Sequence, residues 1–306
     1  MTKQPHICVI GSANVDLTFH TARLPMPGET LAGTAFHLGL GGKGANQAVM
    51  AARLGAHVTL VARVGNDAFG VESLKRYQEL GLDTSCIGID PDRPTGVAAI
   101  VVDDDARNCI LVVPGANGAL SPRDVDAAQA AIGSADFLLG QLEVPFDTIV
   151  AAFRTARAAK VRTILNPAPA LALPEELLRL TNVCIPNETE LAALTGRPTR
   201  SIEDVVTAAQ MLRQRGAGSV LVTLGDRGAV LLHEAEVLTI PAVPVAAVDP
   251  TGAGDAFIGS LAVFWAETGD LRAAARRANA VAALTVQRAG AQAAFPTRAE
   301  VENGGA

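Results

Sequence analysis

Aromatic residues are scarce in this chain: nine Phe, one Tyr and one Trp among 306 residues. Basic runs are missing as well, and the formal net charge is −6. A nucleic-acid surface combines clustered Lys and Arg with aromatic stacking, so no nucleic-acid partner is expected. Cysteine is sparse, with four residues at 8, 86, 109 and 184 and no C-x-x-C pair. That spacing suits neither a zinc site nor a disulfide framework. Cys8 and Cys109 fall in apolar strand-like runs, where a buried free thiol is expected. The histidines at 6, 20, 37, 57 and 233 form no metal-ligand spacing and read as structural or surface residues. Uncharged apolar stretches reach only about a dozen residues and carry Pro or Gly, too short to cross a bilayer. The first residues lack the h-region and cleavage site of a signal peptide. Together these absences predict a soluble cytoplasmic protein with no membrane partner.

Hydrophobic residues, by contrast, make up 49% of the chain, enough for a sizeable core. The length suits one large α/β domain or two smaller ones. Short β-branched runs alternate with Ala-rich helical patterns. The strands are predicted at 6–10, 57–64, 137–141, 163–166, 183–186, 219–223 and 229–233. Between them, helices are predicted at 45–54, 70–80, 123–131, 146–159, 188–194 and 202–215. Strands separated by helices make βαβ units and a mostly parallel sheet covered on both sides. Segments 14–40 and 95–113 break the alternation. They contain strand-like runs, including a hairpin turning at Asp103-Asp104-Asp105-Ala106, and read as a small separate sheet: a lid, a dimer surface, or both. The last residues, 302–306, read as loose.

Parallel sheets place ligands at the carboxyl ends of their strands. After the first predicted strand, Asn14 and Asp16 alternate, so in an extended chain they face one side and can hold the hydroxyls of a polyol. Gly39-x-Gly41-x-x-Gly44 matches a dinucleotide fingerprint but does not follow the first strand directly. The next strand ends in Arg63-Val64-Gly65 instead of an acid, so a dinucleotide fold is rejected. Lys43 is followed by Gly44 and not by Ser or Thr, which excludes a Walker A loop. A glycine loop entering a helix remains, with Lys43 and Asn46 available as hydrogen-bonding side chains. Later strands end at Gln141-Leu142-Glu143, Asn166-Pro167, Asn187-Glu188-Thr189-Glu190 and Leu224-Gly225-Asp226-Arg227-Gly228. Each alone could be a helix cap. Two carboxylates, two glycine loops and an acid at a helix start together suit phosphoryl transfer with a divalent metal.

That acid is Asp255, in Val248-Asp-Pro-Thr-Gly-Ala-Gly-Asp-Ala-Phe-Ile-Gly259. Gly252, Ala253 and Gly254 leave the backbone bare ahead of an apolar helix. A helix N-terminus attracts anions, so an acid there is either an ordinary first-turn residue or a base beside a bound phosphate.

The Gly41–Ala48 stretch GGKGANQA and the Asp249–Gly259 stretch DPTGAGDAFIG, in that order, resemble the signatures of the ribokinase (PfkB) family of carbohydrate kinases. The likeness extends from about residue 7 to 296 and includes GSANVD, PGET, QLE, NPAPA, PNETE, TLGDRG and GAQ. It implies a single catalytic domain over 1–306: a ribokinase-like three-layer α/β/α sandwich with a mostly parallel central sheet. The small β-sheet, from about 14–40 and 95–113, would be its lid. The implied activity is ATP-dependent phosphorylation of D-ribose at the 5-hydroxyl, with a sibling kinase for 2-deoxyribose, another pentose or a nucleoside as the alternative. Asp255 would be the base, and Gly252, Ala253 and Gly254 the anion hole. Asn14, Asp16, Gly42, Lys43, Asn46 and Glu143 would hold the pentose. Asn187, Thr223, Gly225, Gly228, Gly254 and Asn279 would border ATP, and Glu190 would place Mg2+ through water. An activating K+ would sit at Asp249 and Thr251 with the backbone of Thr285, Arg288 and Gly290. The resemblance also implies a homodimer through the lid sheet. Asn279 stands where the family commonly has histidine, Ala294 where serine is common, and Pro250 where threonine is common.

Overall fold

The computed structural model describes residues 4–105 and 107–304. Its main sheet has nine strands: β1 (His6–Ile10), β4 (His57–Gly65), β5 (Ile87–Asp90), β8 (Phe137–Gly140), β9 (Arg162–Leu165), β10 (Val183–Cys184), β11 (Ser219–Thr223), β12 (Ala229–His233) and β13 (Glu236–Ile240). Their order is β13-β12-β11-β10-β9-β8-β1-β4-β5. All pair in parallel except β12 and β13, which fold back as an antiparallel edge. β5 and β13 escape the sequence pattern because each is short, and β13 is largely exposed.

Alternation along β1 sorts the core into two halves. Ile7 and Val9 face the layer that holds α1 (Lys43–Arg53), α2 (Ala68–Glu79), α9 (Ala253–Thr268), α10 (Leu271–Thr285) and α11 (Arg298–Asn303). Cys8 and Ile10 face α3 (Pro122–Ala127), α4 (Gln129–Ser134), α5 (Phe146–Ala158), α6 (Glu175–Leu180), α7 (Glu188–Thr195) and α8 (Ile202–Gln214). This is the expected α/β/α sandwich. The helix predicted over 123–131 breaks at Ala128 into α3 and α4. The tail expected to be loose forms α11 as far as Asn303, anchored by fully buried Val301; Gly305 and Ala306 lie outside the described residues.

A second sheet has four strands in the order β3-β2-β6-β7, from β2 (Asn14–Thr21), β3 (Ala35–Gly41), β6 (Gly96–Asp103) and β7 (Asn108–Val113). The β6–β7 hairpin is antiparallel, with Asp103 accepting the backbone N–H groups of Asp105 and Arg107; Ala106 of the expected turn lies outside the described residues. Cys109 is exposed on β7, contrary to the buried thiol expected, because this sheet has no helix layer over that strand. Gly39 and Gly41 sit on β3, opposite β2, which accounts structurally for the failed dinucleotide match. Among the described residues, no helix is long and apolar enough to cross a membrane.

Candidate active site

The site lies where the two sheets meet, at the carboxyl ends of the central strands. The chain leaves β1 at Ile10, crosses Gly11–Ala13 and enters β2 at Asn14. It returns through β3 to Gly42, whose φ of 85° is in the left-handed region, and there enters α1. A methyl on Gly42 would lie 2.8 Å from the backbone N of Asn14 and 2.9 Å from the carbonyl of Ser12. Glycine is therefore required both by conformation and by space. A methyl on Gly41 would overlap the Asp16 carboxylate, so the bare backbone of β3 makes room for that side chain.

Asn14 is buried, and its Oδ1 accepts the amide of fully buried Asn117 at 2.7 Å; Asn117 also accepts the N–H of Ala13 at 2.8 Å. Glu143 accepts the backbone N–H of Lys43 at 3.0 Å and the hydroxyl of Ser12. Burial, and then the neighbouring charges of Glu143 and Asp255, raise the Asp16 carboxyl to about 6. Burial pulls the Lys43 ammonium down, but the charges of Asp255, Glu143 and Glu190 outweigh it and raise its pKa.

Asp255 is 8% exposed, in the first turn of α9. Its Oδ2 accepts Nδ2 of Asn46 at 2.9 Å, and its Oδ1 accepts Nε2 of Gln47 at 3.0 Å. Burial raises its pKa, opposed by the Lys43 charge and these two hydrogen bonds. Gly252 enters the helix with φ of 77°. A methyl on Gly254 would meet no atom within 4 Å, so nothing in the fold itself requires glycine there. Ala253 departs from the expected open amide: the tight Gly252 turn directs its N–H to the carbonyl of Pro250 at 3.2 Å. The N–H groups of Gly252 and Gly254 have no partner among the described residues.

The cleft runs from Lys43, Gly252, Gly254 and Asp255 to Asn187, Glu190 and Thr223. Asn187 caps α7, with its Oδ1 accepting the Glu190 N–H and Glu190 Oε2 accepting the Asn187 N–H, each at 2.8 Å. Thr223 bridges to Asn187 at the carboxyl ends of the neighbouring strands β11 and β10. Gly228, with φ of 88°, is packed against the backbone of Ile240 and Ala242, while Gly225, with φ of 58°, faces open space. Asn279 is buried in α10, and its amide donates to the carbonyl of Pro241 at 2.9 Å, tying α10 to the segment after β13.

Asp249 ties two loops together. Its Oδ1 accepts the N–H of Thr251 at 2.9 Å and its Oδ2 accepts that of Gly290 at 2.8 Å. Burial pushes this carboxyl up, but the hydrogen bonds from Thr251 and Gly290 prevail and lower it. The Thr285 carbonyl accepts the N–H of Arg288, whose guanidinium pairs outward with Glu300. Ser12, Gln47, Asn117, Gln141, Asn166 and Gln292 carried no assigned role in the sequence. Their polar contacts span up to 246 residues of chain, as between Gln292 and Asn46, so only the fold brings them together.

A buried acid beside open glycine amides, facing a polar cleft at the strand ends, suits transfer of an anionic group to a hydroxyl held in that cleft. The profile of the pfkB family carbohydrate kinases matches residues 4–298, and the chain belongs to that family. It is 42% identical over 299 residues to the bifunctional ribokinase/ribose-5-phosphate isomerase A of Fructilactobacillus sanfranciscensis, covering 97% of this chain but only 55% of that relative. It is 38% identical over 296 residues to the deoxyribokinase of Salmonella typhi, covering 95% of each. The structure of Arabidopsis thaliana ribokinase complexed with ribose and ATP superposes with a TM-score of 0.93 at 34% identity, covering 98% of both chains.

Proposed function

We propose that this protein phosphorylates D-ribose at the 5-hydroxyl with ATP, giving D-ribose 5-phosphate and ADP. One observation carries the reading: a buried carboxylate, Asp255, stands in the same helix turn as the open amides of Gly252 and Gly254. In that arrangement Asp255 takes the proton of the sugar hydroxyl as its oxygen bonds to the γ-phosphorus. The bond from that phosphorus to the β-phosphate oxygen breaks, and ADP leaves. The amides of Gly252 and Gly254 stabilise charge on the transferring group, with Ala253 setting their spacing. A pKa raised by burial makes Asp255 a better proton acceptor than a solvated aspartate.

Asn14 and Asp16, on one side of β2, hold adjacent sugar hydroxyls, with Gly42, Lys43, Asn46 and Glu143 closing around the pentose. Asn187, Thr223, Gly225 and Gly228 border the nucleotide, and Asn279 supports that border from beneath. A magnesium ion fits Glu190, which lies on the cleft and has one carboxylate oxygen outside its capping bond. Among the described residues no cluster of three or more His, Cys, Asp or Glu converges, so the ion would be held chiefly by water and phosphate oxygens. Bound there, it would neutralise phosphate charge. A potassium ion fits Asp249 and Thr251 with the backbone of Thr285, Arg288 and Gly290, because each Asp249 oxygen accepts one N–H and keeps a further lone pair. There it would brace the two loops flanking the anion hole. The exposed apolar strands of the small sheet support its reading as both the lid and the contact with a second copy of the chain.

The deoxyribokinase relative keeps 2-deoxyribose as a second reading. The paired Asn14 and Asp16 favour ribose, whose adjacent hydroxyls give each a partner. ADP release is measured with ATP and Mg2+ on ribose, 2-deoxyribose, fructose and adenosine, with and without K+. Highest kcat/KM on ribose, raised by K+, is expected. Preference for 2-deoxyribose would transfer the same mechanism to the other sugar.

A further inference from the structure

Around Asp255 is a set of buried amides, of which Gln47, Gln141, Asn166 and Gln292 have no assigned task. Gln47, fully buried on α1, donates from Nε2 to Oδ1 of Asp255 at 3.0 Å and to Oδ1 of Asn166 at 3.3 Å. Its own Oε1 accepts Nε2 of fully buried Gln141, from the end of β8, at 2.7 Å. Asn46, the next residue back, repeats the pattern: Nδ2 donates to Oδ2 of Asp255, and Oδ1 accepts Nε2 of Gln292 at 2.9 Å. Each amide that holds the carboxylate is thus itself held by a second amide on the far side. An amide flipped end for end would set oxygen against the carboxylate, and Gln141 and Gln292 oppose that flip by donating to the amide oxygens.

The helices are built to make this contact. A methyl on Gly259 of α9 would come within 2.5 Å of the Gln47 carbonyl and 3.0 Å of Cβ of Met50, so glycine there lets α1 lie close against α9. Asn166 in turn donates its amide to the carbonyl of Ile185, anchoring the set to the next strand end.

We infer that Gln47, oriented by Gln141, is a positioning residue that fixes the Asp255 carboxylate against the substrate hydroxyl. The inference rests on the reading of Asp255 as the base. Asn46 has been placed among the groups that hold the sugar, whereas Gln47 is fully buried behind the cleft-lining Asp255 and Asn166 and does not line the cleft itself. Its hydrogen bond favours the charged carboxylate and opposes the rise due to burial.

The test uses the full chain carrying Gln47→Leu, Gln141→Leu or Asp255→Asn, with kcat and sugar KM followed across pH. Thermal unfolding and calorimetric sugar binding confirm that each variant is folded. For Gln47→Leu, kcat is expected to fall roughly tenfold to a hundredfold while sugar KM changes little. The acid limb of its kcat profile is expected to move up by about one pH unit, because the lost donor no longer favours the ionised base. Gln141→Leu is expected to move the limb in the same direction by less. An unmoved limb in both glutamine variants, with Asp255→Asn inactive, overturns the positioning role and leaves the base reading intact. Activity retained in Asp255→Asn overturns the base reading itself.

Discussion

Every residue of β8 is buried, and every residue of β7 is exposed. Both are short and apolar, and the difference lies in what covers them. β8 sits between two helix layers, so both of its faces are buried and its sequence reads as a continuous hydrophobic run. β7 edges a sheet with no helix layer over it, leaving Ile110, Leu111, Val112 and Val113 each at least 46% exposed, together with Phe36 and Leu38 on β3. The large sheet is a finished core; the small one carries apolar surface that calls for a cover. The proposed site draws on both. Asp255 rises from α9 over the large sheet, and Asn14 and Asp16 belong to the small one, so the geometry of reaction depends on how firmly the two are joined.

Gly42 stands at that join, and the largest effect is expected there. Gly42→Ala combines a positive φ with overlap on Ser12 and Asn14, and is expected to cost about 2–3 kcal/mol, read by denaturant unfolding. Gly254→Ala sharpens the contrast: its methyl meets no protein atom, so unfolding should be unchanged while kcat falls roughly tenfold. A charge on the uncovered strands comes next. Leu111→Lys, with Phe36→Asp as a second variant, is expected to shift sedimentation from dimer to monomer without lowering the unfolding temperature. A dimer that survives both would separate the apolar face from self-association.

The smallest effect comes from pH. Asp16, raised to about 6, is a charged acceptor above that pH and a neutral group below it. Sugar KM is therefore expected to rise as pH falls through about 6, a dependence that Asp16→Asn should remove. The sign for stability is the reverse. A carboxyl raised on folding contributes stability below its unfolded pKa and loses it as pH rises through the folded value. Asp16→Asn should then gain unfolding temperature over the parent above about pH 6 and not in acid.

The same contrast explains what was legible in the sequence. Doubly buried strands such as β1, β8 and β11 announce themselves as short apolar runs, and the helices between them by period. The antiparallel edge strand β13 does not, because half-exposed five-residue segments carry little signal. The polar residues singled out at strand ends and helix starts come together in space: Lys43, Asn187, Glu190, Thr223 and Asp255 line one cleft. Asn279 borders the nucleotide by resemblance alone; its amide donates to the Pro241 carbonyl, a partner 38 residues away that local pattern does not reveal. The amides of Gln47, Gln141 and Gln292 were invisible as a set, since local pattern carries no information about partners 94 or more residues away.

The most direct test is single-turnover transfer of phosphate from ATP to ribose by the parent and by Asp255→Asn, with ribose binding measured on both by calorimetry. Ribose bound by both, with transfer slowed by roughly a thousandfold in the variant, is the expected result. Transfer at the parental rate in Asp255→Asn, or ribose bound by neither, would contradict the assignment of this cleft to proton abstraction from ribose.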